Sequence, residues 1–425
     1  MNILIKNGRM IDPANQRDAI QDIYITEGKI AGIAQAPAGF SANQTIDASG
    51  LIVAPGLVDL STRLREPGLE YKATLTSELQ AAVAGGVTSV ACLPDTEPTL
   101  DEPGLVEMLK YRAKTLNLAH VYPLGALTTQ LQGKTLTEMY ELTQAGCVGF
   151  TQADQPIIDT QVLWRAFEYA TTFGYTLFLR AEDPFLAKDG VAHDGEVASR
   201  LGLKGIPSAA ESLALATILR IASETNAKLH ICRLSTAEGV TLVRNAKKQG
   251  IRVTADVSIQ HLHLTELDIG YFNTFAHLRP PLRTQRDLEA LCEGVKDGTI
   301  DAICSDHTPV DDDDKILPFA ESEIGATGLE LLLPLSLKWA DAYQIPLSTV
   351  IQRISTSPAN IMGIPAGRLS IGDAADIVIF DSKTFTKIEA NKLKSMGKNT
   401  PFLNLELPGQ VEYTFVEGQA RFSRL

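Results

Sequence analysis

Residues 54–68 read Ala54-Pro55-Gly56-Leu57-Val58-Asp59-Leu60-Ser61-Thr62-Arg63-Leu64-Arg65-Glu66-Pro67-Gly68. They form a short apolar run of β type followed by a charged loop, and they open a long region of uniform texture. From Gly50 to about Ile361, short β-type runs alternate with longer helical patterns, as in repeated β/α units. Strands are expected at Ser89–Leu93, Tyr175–Leu179, Lys228–Cys232, Val253–Ala255 and Ala302–Cys304, with helices between them at Glu211–Asn226 and Ala237–Gln249.

Outward from this region the texture changes. Before it lie short strands and turns: Asn2–Lys6, Asn7-Gly8, Ile23–Ile25, Glu27-Gly28-Lys29 and Ile30–Ile33. After Gly367 the β pattern returns at Ala375–Asp381, Val411–Val416 and Gln419–Phe422. Chain ends tend to lie close together, so the two β segments are expected to form one small β-sandwich with an α/β barrel inserted between them. The boundaries drawn are 1–53 and 363–425 for the sandwich and 54–362 for the barrel.

The 425 residues carry a formal charge of -13, with 44% hydrophobic and 21% charged residues. That balance fits a folded globular chain and not a disordered one. An acidic chain argues against nucleic-acid binding, which concentrates lysine and arginine against phosphates. No run approaches a membrane span, and Met1 leads into Ile3-Leu4-Ile5-Lys6, unlike a signal peptide. Five cysteines, at 92, 147, 232, 292 and 304, form no CxxC pair, so a reducing, cytoplasmic setting is expected. Asp311-Asp312-Asp313-Asp314-Lys315 reads as a solvated loop, since it lacks the spaced ligands and glycine turn of a calcium loop.

The stretch Ala54–Leu60 with Leu64–Gly68 resembles the first barrel strand and loop of the dihydroorotases, in the amidohydrolase superfamily. The likeness runs in order along the chain through Ala84-Gly85-Gly86-Val87-Thr88, Leu93-Pro94-Asp95-Thr96, Ala181-Glu182-Asp183 and Leu234-Ser235-Thr236-Ala237-Glu238. It continues through Pro280-Pro281-Leu282-Arg283, Ser305-Asp306-His307-Thr308-Pro309, Thr327-Gly328-Leu329-Glu330 and Gly397–Phe402. The resemblance implies a TIM-like (β/α)8 amidohydrolase barrel with a small β-sandwich domain built from both termini. It also implies a zinc centre, because attack on a ring amide at neutral pH calls for a metal-bound hydroxide and a Lewis acid.

The family's ligand positions are altered here. Its first His-x-His becomes Ser61 and Arg63, and two later histidines become Arg180 and Arg233. The bridging carboxylate or lysine falls on Gln152 or Ala153; Asp154 stands one residue late and is not expected to substitute. Asp306 alone remains. Arginine stays protonated and offers no lone pair, and a catalytic zinc needs about three protein ligands. Among substrate contacts Arg65 is kept, while Asp95, Arg279 and Val310 stand where the family has asparagine, asparagine and histidine. These replacements lead to the expectation that the chain is not an enzyme and holds no metal or other cofactor.

Three buried arginines need partners, because an isolated internal charge costs several kcal/mol. Asp306, Asp59, Asp95 and Glu182 are expected to pair with Arg63, Arg180 and Arg233. His261 and His263 form another His-x-His, but in the family's layout they lie outside the metal centre and read as structural. So do His230 and His307, and Cys232 and Cys304 read as buried thiols.

Family members without the metal histidines are thought to serve aspartate transcarbamoylase, the preceding enzyme of pyrimidine synthesis. The resemblance therefore implies a subunit supporting assembly and activity of that enzyme, with dimers of this chain in a mixed oligomer. The alternatives are a zinc-dependent dihydroorotase or other cyclic-amide hydrolase with atypical ligands, and an anion-binding regulatory protein.

Overall fold

Eight parallel strands supply the frame on which the functional side chains hang. In this computed structural model, which describes residues 1–424, they are β1 (Leu57–Thr62), β2 (Val87–Cys92), β3 (His120–Ala126), β4 (Gly149–Thr151), β5 (Thr176–Leu179), β6 (Lys228–Ile231), β7 (Val253–Ser258) and β8 (Ala302–Cys304). They pair in sequence order. The sheet closes just beyond β1 and β8, where Arg63 N donates to His307 O at 2.9 Å and His307 N donates to Ser61 O at 3.0 Å. Asp59 sits at this seam and accepts from Ser305 N at 2.6 Å, from Ser305 Oγ at 2.7 Å and from the Thr62 hydroxyl. The expected β/α barrel is thus present.

Helices cover the outside of the strands, and their starts follow local sequence chemistry. Thr74 and Thr284 each form a reciprocal capping box, with Ser77 and Asp287, at the heads of helices Leu75–Ala84 and Gln285–Asp297. Such caps contribute about 1 kcal/mol each. The helices at Ala209–Thr225 and Ala237–Lys248 match the expected spans to within two residues. Inside the barrel Val58, Leu60, Ala91, Leu124, Phe178 and Ala302 pack together, with Ala359 and Met362 joining the same cluster. Fully burying a side chain such as Phe178 is worth about 1.5–3 kcal/mol.

The two ends of the chain meet in one β unit. A six-stranded sheet takes Ile52–Pro55, Arg9–Asp12 and Arg17–Ile20 from the N-terminal part and Ile377–Lys387, Glu406–Val416 and Gln419–Ser423 from the C-terminal part. A four-stranded sheet uses Asn2–Lys6, Ile23–Thr26, Lys29–Ile33 and Gln44–Asp47. Ile5, Ile23, Ile25, Val53, Ile377 and Phe415 share the core between them. The acidic run differs from the solvated loop expected: Asp311 caps a short helix, Asp312–Ile316, and Lys315 is buried. The Lys315 ammonium compensates its burial by donating to Thr274 O at 3.0 Å and Glu323 O at 2.5 Å. No helix among the described residues is long and apolar enough to cross a membrane.

Candidate active site at the mouth of the barrel

The strands' C-terminal ends surround a cavity of about 610 Å³, on the face where this fold places its chemistry. The chain turns sharply as it leaves three of these strands. Ala153, Arg233 and Asp306 follow β4, β6 and β8 with φ of 49°, 54° and 49°, and Arg65, after β1, has φ of 63°. Left-handed backbone is uncommon for residues with a Cβ and is costly to hold. Here it aims successive side chains over the barrel axis.

Asp154 is the centre of the site. Its Oδ1 accepts from Arg180 Nε and from Arg233 Nη2, each at 2.6 Å, and its Oδ2 accepts from Arg63 Nη2 at 2.6 Å. Burial would raise this carboxyl, but Arg233, Arg63 and Arg180 hold it well below the ordinary carboxylate range. Asp154 was not among the carboxylates expected to pair with the arginines; the left-handed turn of Ala153 after β4 brings it onto the axis among them.

The remaining partners are largely those expected. Asp95 Oδ2 accepts from Arg63 Nε at 2.7 Å, Glu182 takes Arg180 Nη1 at 2.7 Å, and Asp306 Oδ1 takes Arg233 Nη1 at 3.0 Å. Arg279 also donates to Glu182. Burial pushes Glu182 up, yet Arg180 and Arg279 hold it below its usual value. Asp59 is a further correction, because it serves the β1–β8 seam and pairs with none of the three arginines. Burial pushes its carboxyl up.

Asp306 behaves differently from Asp154. Burial raises it to about 6, outweighing the pull of Arg233 and Arg63. Asp306 lines the cavity, so it is the group there able to exchange a proton near neutral pH. Ser61 Oγ lies 3.5 Å from its Oδ1. Gln152 is turned away, with its amide 2.8 Å from Thr128 Oγ1.

Of the expected substrate contacts, Arg65, Asp95 and Arg279 line the cavity. Arg65 is held by Pro309 O at 2.9 Å and by Glu323 at 3.3 Å. Val310 is buried, and its N–H donates to Asn399 Oδ1. The wall carries the cations Arg63, Arg65, Lys188 and Arg279 and the carboxylates Asp95, Asp154, Glu182, Asp189, Asp306 and Glu323. With Arg180 and Arg233 the formal charges balance at six of each sign. The metal centre implied by the resemblance does not fit these side chains. The three guanidiniums have no lone pair to give, and both oxygens of Asp154 are engaged.

The histidines outside the mouth hold structure together. His261 Nε2 lies 3.1 Å from Pro280 O, and His263 Nε2 lies 2.9 Å from Leu335 O. Burial lowers both to about 4, so the rings are neutral. His307 is 2.6 Å from the buried Glu78, which also accepts from Ser395 Oγ and Met396 N. His230 lies against Asp256 at 2.9 Å, and one ligand atom each from His230, Cys232 and Asp256 fall within 4.8 Å of one another. Asp256 escaped the sequence reading, because nothing in the alternating run Val253–Ser258 marks it apart from other strand residues.

A relative from Pseudomonas aeruginosa, named Dihydroorotase-like protein, is 45% identical over 98% of this chain and 99% of its own. The chain belongs to the dihydroorotase-like family. The family model described as Dihydro-orotase-like matches residues 50–239. A Geobacter relative named Dihydroorotase is 41% identical over 99% of both chains. Among solved structures, L-hydantoinase (dihydropyrimidinase) from Arthrobacter aurescens shares the fold with a TM-score of 0.89. It has 24% identity and covers 99% of this chain and 96% of its own. The expectation that this chain is not an enzyme is overturned by the Geobacter relative, which carries an enzyme's name at that identity. The His230, Cys232 and Asp256 grouping adds donors that the reading of the mouth did not include.

Proposed function

We propose that this dihydroorotase-like chain works in de novo pyrimidine biosynthesis as a subunit that supports the assembly and activity of aspartate transcarbamoylase, pairing into dimers within a mixed oligomer. The observation that carries this reading is the mouth, where each arginine over the axis is matched to a carboxylate within 3.0 Å. A pocket so neutralised is held together by ion pairs, while the likeness to a dihydroorotase-like relative extends along the whole chain. The test is co-expression with the transcarbamoylase catalytic chain of the same cell. Co-elution in one larger species, with transcarbamoylase activity lost when this chain is omitted, is the expected result. Unchanged transcarbamoylase size and activity without it would reject the role.

A second reading is favoured by the Geobacter relative's name and by Asp306: hydrolysis of a cyclic amide of the dihydroorotate class. The two readings are compatible in one subunit. In the hydrolase, Asp306 accepts the proton of an attacking water, while Arg65 and Arg279 on the cavity wall face the substrate. Turnover of dihydroorotate is to be measured with and without added zinc, from pH 5 to 8. A rate that rises through about pH 6 and vanishes in Asp306→Asn is the expected signature. No turnover under either condition would remove this reading and leave the first standing.

A further inference from the structure

We propose that His230, Cys232 and Asp256 bind one divalent cation of the zinc class inside the barrel, beneath the arginine-clamped Asp154. The three side chains come from the end of β6 and from β7, neighbours in the sheet, and their ligand atoms lie within 4.8 Å of one another. Zinc takes nitrogen and oxygen ligands at about 2.0–2.2 Å and sulfur at about 2.3 Å. Small side-chain rotations therefore suffice to close the three atoms around an ion.

The surroundings orient these donors. His230 Nδ1 lies 2.8 Å from Thr254 Oγ1, which turns Nε2 toward the Asp256 carboxylate at 2.9 Å. A partner on the outer nitrogen is the usual companion of a metal-bound imidazole. The Cys304 thiol, its Sγ 3.5 Å from Asp256 Oδ1, stands next to the group and donates to that carboxylate. His230 and Asp256 are buried and Cys232 is half-buried.

Chemistry selects the ion. Sulfur, imidazole and carboxylate together suit zinc and its neighbours, whereas magnesium and calcium take oxygen ligands. One thiolate and one carboxylate neutralise a dication, so the loaded site carries no net charge in the barrel interior. A metal-bound cysteine is a thiolate, so loading releases the Cys232 proton to solvent. Asp256 Oδ1 accepts from Arg233 N at 2.6 Å, so an ion fixing this carboxylate also fixes the turn from which Arg233 reaches Asp154.

The experiment uses the untagged full-length chain, refolded with zinc or with cobalt(II) and then desalted. About one equivalent of zinc per chain is expected, and the cobalt form should show a thiolate-to-cobalt charge-transfer band. Cys232→Ser should lose the band and the zinc, while Asp306→Asn should keep both. Less than about a tenth of an equivalent of zinc after loading would overturn the proposal. So would a band that survives Cys232→Ser, or a metal lost in Asp306→Asn but kept in Cys232→Ser. If Cys232→Ser does not fold, the unaltered chain decides, because bound cobalt without a thiolate band also overturns it.

Discussion

Replacing Asp154 by asparagine keeps the shape of the side chain and removes the one charge shared by three guanidiniums. Each contact is 2.6 Å long. At an effective dielectric near 20, a close opposite pair is worth about 4 kcal/mol, so the gross attraction is about 12 kcal/mol. Most of that is offset by desolvation, and Asp95, Glu182 and Asp306 remain to hold the arginines. Breaking a buried pair from one side costs about 3–5 kcal/mol, and that is the net loss expected. Unfolding entropy of about 2 cal/mol/K per residue makes each kcal/mol worth about 1 °C in a chain this long, so the melting temperature should fall by about 3–5 °C. Asp189→Asn is the control, because its ion pair with Lys204 is exposed and screened by solvent. Differential scanning calorimetry of the three proteins decides. If Asp154→Asn melts with the control or above it, the carboxylate does not hold the mouth together.

Asp306 sets a pH dependence of defined sign. Its folded-state value is raised from 3.8 to about 6, so the ionised form opposes folding. The stability it lends is complete below about pH 4 and is lost as pH rises through about 6, by roughly 3 kcal/mol. The stability of the unaltered chain relative to Asp306→Asn should therefore decline between pH 4 and 7 in urea titrations, and a flat difference would refute the shift. Glu182→Gln should cost about 2–4 kcal/mol and free Arg279, seen as faster proteolysis near residue 279; an unchanged digest would count against the pairing. Glu78→Gln should loosen the segment around Ser395 and Met396, raising its hydrogen exchange well before global unfolding; exchange that stays native there would contradict the link. Burial pushes Cys92 and Cys147 up to about 12, so alkylation at pH 8 should run about a thousandfold slower than for a free thiol. Fast labelling of either in the folded chain would be the contrary result.

Much of this molecule is legible in its sequence, and the exceptions share a cause. The runs read at Asn2–Lys6, Ser89–Leu93, Tyr175–Leu179, Lys228–Cys232 and Ala302–Cys304 coincide with strands to within two residues, whereas His120–Ala126 and Gly149–Thr151 were not singled out, and Arg63, Arg180 and Arg233 converge as their motif positions imply. The pairing of Asp154 with the arginines was missed because counting along a strand assumes extended backbone, whereas Ala153 turns left-handed and shifts the register of side-chain direction by one. Asp59 was misassigned because composition gives a carboxylate's charge but not its facing, and the seam needed acceptors for Ser305 and Thr62. Asp256 was missed because its meaning depends on His230 and Cys232 across a strand pair, a proximity that linear spacing does not carry.

The left-handed residues at the strand ends have a mechanical consequence. Ala153, Arg233 and Asp306 act like cocked springs around the rim, each storing about 1 kcal/mol or more that the charge clamp must restrain. Cutting the clamp should therefore release the rim as a group, with the loops after β4, β6 and β8 relaxing together while the staves beneath keep their shape.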